Sequence, residues 1–176
     1  MIERQARTLA ALAAVGGSAL LLAGGASPAA RATPGDYVGT LQGTDAFVAV
    51  LVGTHGGVLA YVCDSKRIAE WFKGRAGSGT SGLTLRSKGG YRLQVTVAGG
   101  RATGTVSFPA GGSHPFSVVS VKRPFGLYRV EIRDGGKHYL GGWIVLPDRR
   151  TRGAVKSGTK IVGSSTLNFT TPILTL

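Results

Sequence analysis

The chain has 176 residues, 29 of them glycine, with 21 Lys and Arg against 8 Asp and Glu and a single cysteine. One cysteine excludes an intramolecular disulfide, and so few acids disfavour any chemistry that needs two carboxylates across a cleft. A formal net charge of +13 makes a surface that attracts anionic partners, while saying nothing about fold.

The first segment reads as an export signal. Arg4 and Arg7 form a short charged zone, residues 9–26 an apolar zone, and Ala30-Arg31-Ala32 a small-x-small cleavage triplet preceded by the helix breaker Pro28. Residues 1–32 are therefore expected to be a cleavable secretory signal peptide, and 33–176 a single Gly-rich all-β domain. The apolar zone is rich in Ala and Gly, which favours a signal over a retained anchor. No Cys after Leu22-Ala23-Gly24-Gly25-Ala26-Ser27 could carry a lipid, and no twin Arg marks folded export. The mature chain is expected to have no transmembrane span and to be secreted, either extracellular or cell-envelope associated. The signal removes three Arg and one Glu, which leaves 18 bases against 7 acids, or +11.

Beyond residue 33 no long stretch has helical spacing. Residues 46–52 (AFVAVLV) are apolar on both faces, as in a strand covered on both sides. Residues 68–72 carry Ala, Glu and aromatics; a strand is favoured there over a short helical turn. From 82 to 134 short alternating runs are separated by Gly pairs, which reads as an antiparallel meander. Tyr91, Leu93, Val95 and Val97 share one face of such a run, and Tyr128, Val130 and Ile132 share another. Residues 139–146 (YLGGWIVL) again look buried, with Gly141 and Gly142 allowing a bulge or close approach. About ten to twelve strands over 36–169 are too many for one open sheet, so the meander is expected to close into a small barrel, with a two-layer β-sandwich as the alternative.

Chemistry is sparse. No G-x-S-x-G elbow accompanies His55, His114 or His138, each of which lies at or near a Gly pair and reads as a solvated turn residue. No H-x-x-x-H, H-E-x-x-H or C-x-x-C spacing occurs, so neither metal nor cofactor is expected. Asp36, Asp45, Asp64, Asp134 and Asp148 look like turn residues, and Glu131 is expected to alternate outward. Glu70 stands beside Trp71 and Phe72, where it acts as an acid of raised pKa or, the favoured reading, pairs with Arg67 or Lys73. Cys63 reads as a buried small residue rather than a reactive thiol.

Four runs, 60–64 (AYVCD), 69–72 (AEWF), 126–129 (GLYR) and 141–148 (GGWIVLPD), resemble those of an uncharacterised family of exported proteins of high-GC Gram-positive, actinobacterial organisms. The resemblance spans most of the mature chain and implies source and export, but no activity.

Three functions follow as expectations. The first is a non-enzymatic barrel for a small apolar ligand, lined by Trp71, Phe72, Tyr91 and Trp143. The second is a cell-envelope-associated interaction protein that docks on an anionic polymer through Arg149, Arg150, Arg152, Lys156 and Lys160, crowded into one segment and expected to form an exposed hairpin. That segment contains no aromatic residue, which argues against nucleic acid as the polymer. The third is an enzyme whose unrecognised site is built on Glu70 or His114.

Overall fold

A computed structural model describes residues 32–77 and 82–165. The expected signal peptide, apart from Ala32, lies outside the described residues, as does the expected end of the last strand at Phe169.

The described residues are all-β. The strands are β1 (Gly35–Thr40), β2 (Phe47–Val52), β3 (Gly57–Cys63), β4 (Ala69–Arg75), β5 (Gly82–Arg86), β6 (Arg92–Ala98), β7 (Arg101–Ser107), β8 (Ser113–Val121), β9 (Gly126–Asp134), β10 (Lys137–Val145), β11 (Thr151–Ser157) and β12 (Lys160–Ser165). The segment 68–72 enters a strand, with no helical turn. No helix among the described residues is long and apolar enough to cross a membrane.

Two antiparallel sheets result. The first has eight strands in the order β4-β3-β2-β1-β8-β7-β6-β5, and a single bridge from Phe72 to Ser87 brings its two ends together. It is thus a meander nearly closed into a barrel, as the sequence leads one to expect. The second sheet, β12-β11-β10-β9, lies over the outer wall of β1–β4 as an added layer. The barrel and the layered arrangement that sequence poses as alternatives are therefore both present.

The reading of 82–134 as one continuous meander needs correcting. After Val121 the chain leaves the barrel: β8 pairs with β1, through Asp36↔Val121, Tyr37↔Ser120 and Val38↔Val119, and β9 begins the second sheet. Pro124, which has no N–H to give a ladder, lies in the link. The tight turns are as expected from the glycines. Gly99-Gly100 and Gly135-Gly136 take positive φ at both positions, which is what a two-residue turn matching strand twist requires.

Two apolar clusters hold the fold. Inside the barrel, Tyr37, Val48, Val50, Val62, Phe72, Leu93, Val97, Val106 and Phe116 are buried together. Between barrel and second sheet, Val38, Phe47, Ala49, Tyr61 and Ala69 meet Leu127, Ile144, Leu146 and Ala154. β2 serves both clusters, which explains why 46–52 is apolar on both faces. Gly142 sets how close the sheets approach: a Cβ there would stand 2.6 Å from Trp71 and 2.8 Å from Tyr61.

In β9, Leu127 packs into the intersheet cluster. Alternation then turns Arg129, Glu131 and Arg133 to the barrel side and Tyr128, Val130 and Ile132 away from it. Glu131 is exposed, but on the barrel-side face, opposite to the orientation expected from the pattern. It accepts hydrogen bonds from Arg129 and His138, which hold its carboxyl below the usual range.

Candidate anion-docking surface

The four aromatics proposed for a pocket do not line a common space. Phe72 is fully buried inside the barrel. Tyr91 packs at the border of the same cluster, its ring 5.2 Å from Phe108. Trp71 alternates to the other face of β4, where its ring lies 4.3 Å from Tyr61 and the Arg129 guanidinium stands 5.7 Å above it. Trp143 is on the far face of the second sheet, its indole laid across Gly141 and Gly153. Two open surface depressions, of about 320 and 400 Å³, are lined by parts of β5–β7 and of β2–β4, and none of the four aromatics borders either.

The basic segment 149–160 is not a free finger. It contains β11, which is hydrogen-bonded on one side to β10 and on the other to β12. Arg150 donates from Nε to Asp148 Oδ2 at 2.8 Å. Burial raises the Asp148 carboxyl, but the Arg150 N–H and guanidinium outweigh that and hold it below the usual range. Arg150 and Arg152 stand 5.4 and 4.9 Å from the centre of the Phe47 ring, and Arg152 Nε donates to the Asp45 carbonyl at 3.3 Å. Lys156 is engaged with Glu70. Arg149, at φ 67° in the turn, and Lys160 remain exposed.

Glu70 occupies the seam where the barrel ladder is thinnest. Sharing the face of Phe72, it is 7% exposed, accepts the Gly89 N–H at 3.1 Å on Oε2 and receives Lys156 Nζ at 2.7 Å on Oε1. It is ion-paired, but with neither Arg67 nor Lys73. Its partner comes from the second sheet, 86 residues along the chain.

The opposite face of the same seam carries a set of cations that the sequence reading missed. β4 turns Lys73 outward; Arg86 ends β5, Lys88 follows it, and Arg92 begins β6, all exposed. The Phe72↔Ser87 bridge places Lys73 beside Arg86, and Arg86 is the direct cross-strand partner of Arg92. Like charges directly opposite each other destabilise a strand pair, so these two side chains do not help to hold β5 to β6. None of these four cations forms an ion pair among the described residues. The four were not visible as a motif because they come from three strands and a turn and are spaced across twenty positions. Only pairing brings them together.

The remaining reactive groups are occupied structurally. His114 sits on β8 rather than in a turn, with its ring 4.7 Å from Phe108 and Nδ1 3.1 Å from the Gln42 carbonyl. His138 likewise lies on β10 and contacts Glu131 at 2.7 Å, while His55 is in the turn after β2. Among the described residues no three His, Cys, Asp or Glu stand close enough to hold a metal ion. Cys63 is buried, burial pushes its thiol pKa up, and the Ser65 N–H donates to its sulfur at 3.3 Å. Since the thiolate is the reactive form, native protein should label with a disulfide reagent far more slowly than protein in denaturant. Equal rates would place Cys63 at an accessible surface.

No protein-family model, curated protein or solved structure matches the chain.

Proposed function

We propose that the protein is a secreted, cell-envelope-associated interaction protein, without catalysis of its own, that docks on an anionic polymer through Lys73, Arg86, Lys88 and Arg92. The observation that carries this reading is the Arg86–Arg92 pair with Lys73 and Lys88 near it, four exposed cations with no carboxylate partner among the described residues. A polyanion threading along the seam would relieve their mutual repulsion and release its own counterions. The mutual packing of buried side chains inside the barrel supports this reading over a ligand held there.

Titration with a phosphodiester polymer of the cell-wall type tests it. Four phosphate contacts should weaken binding by a few tens-fold between about 50 and 200 mM salt. Replacing Lys73, Arg86, Lys88 and Arg92 together by Ser should remove most of the affinity, and replacing Arg149, Arg150 and Arg152 by Ser should remove little. Salt-insensitive binding, or the reverse order of the two variants, would discard the assignment.

A further inference from the structure

Among the described residues nothing covers the far face of the second sheet, which is largely apolar. Its cross-strand rows are Tyr128–Trp143–Gly153, Val130–Gly141–Val155–Gly163 and Ile132–Tyr139–Ser157–Lys160. Val130 is 40% exposed and Ile132 53%; Val162, next to the inward-packing Ile161, is 54% exposed. Strands of a covered sheet would not present these residues to water. The glycines between them keep the surface flat, and Trp143 lies down upon two of them.

Positive charge predominates around this face. Arg123 stands 4.7 Å over the Tyr128 ring beside exposed Lys122 at one end. Lys137 and Lys160 stand near the other. Asp134 is the acid at the hairpin tip, directly paired in register with Lys137, and Glu131 belongs to the barrel-side face with Arg129 and His138. Residues 129–138 are exposed throughout, so this end of the β9–β10 hairpin extends beyond the cover of the barrel.

We infer that this face docks on a bilayer surface bearing anionic headgroups. Aliphatic side chains enter the headgroup–acyl boundary, Trp143, Tyr128 and Tyr139 take the interfacial level that suits an apolar ring with a polar edge, and the framing cations meet the headgroups. A neutral partner would leave the excess of Lys122, Arg123, Lys137 and Lys160 over Asp134 unused. The inference stands on different strands from the polymer-docking cations and does not depend on them.

Flotation with vesicles of mixed phosphatidylglycerol and phosphatidylcholine tests it. The protein should float with the mixed vesicles and not with phosphatidylcholine alone, and its tryptophan emission should move to the blue on binding. The Trp143→Phe variant should still float but lose the shift. Ile132→Asp, at an exposed position where folding should be unaffected, should reduce binding about tenfold or more, as expected from removing one buried aliphatic anchor. The variant with Ser at 73, 86, 88 and 92 should float like the parent, which separates this result from the polymer titration. Equal flotation on neutral vesicles, no flotation, or a dimer in sedimentation that Ile132→Asp dissociates would each overturn the inference; the dimer would assign the face to a second copy of the chain.

Discussion

Lys156→Met should lower the free energy of unfolding by about 3–5 kcal/mol, the range for removing one partner of a buried ion pair. The side chains of Glu70 and Lys156 are only 9% and 18% exposed, so the carboxylate cannot recover a hydration shell once the ammonium is gone. Among the described residues it would keep one donor, the Gly89 N–H. Lys156 is also the charged link between the second sheet and the barrel seam, so the loss falls on both. Glu70→Gln should cost less, about 1–3 kcal/mol, because the Lys156 ammonium, on a flexible and more exposed side chain, can turn to water and the amide oxygen can still accept from Gly89. The double variant Glu70→Gln/Lys156→Met should be more stable than Lys156→Met alone, since no buried charge is left unpaired. Urea unfolding of the four proteins measures all of this. If Lys156→Met lies within about 1 kcal/mol of the parent, the pair behaves as an exposed one.

Phe72→Ala should cost about 3–5 kcal/mol. The ring is fully buried among barrel-interior side chains, and its truncation both removes apolar burial and leaves a void beside the single bridge that joins β4 to β5. The same substitution separates two roles for this residue. A core ring lost to Ala lowers the midpoint of denaturant unfolding with little change in slope. A ring that lined an open ligand space would give a loss well under 2 kcal/mol, and saturable binding of a fluorescent fatty acid to the parent.

Much of the fold is legible because it is local. The two-sided apolar run at 46–52 announces a strand covered on both faces, and it is the strand shared by the two clusters. Gly99-Gly100 and Gly135-Gly136 announce hairpins because few other residues accept their backbone angles. What escapes is what pairing alone decides. Period two says that Tyr128, Val130 and Ile132 share a face, but not whether that face meets the barrel or water; Leu127, outside the set, settles it. The partner of Glu70 could not be found near it in sequence, and the seam cations become neighbours only when β4, β5 and β6 align. Conversely, the density of charge at 149–160 is real in the chain but is divided in space among Asp148, Phe47, Glu70 and solvent.

The circular strand order has a kinetic consequence. Every ladder in the barrel but one joins strands adjacent in the chain, and the exception is the three-pair contact of β1 with β8. Hairpins form in microseconds, whereas bringing Asp36 to Val121 must meet the entropy of closing the whole intervening chain. Assembly is therefore expected to run from independent hairpins to one late, long-range closure. β9 follows directly, and Leu127 joins Val38 of β1 in the intersheet cluster. The second sheet then acts as a latch on the barrel's last joint. Weakening that latch should quicken opening of the native state far more than it slows the formation of the hairpins.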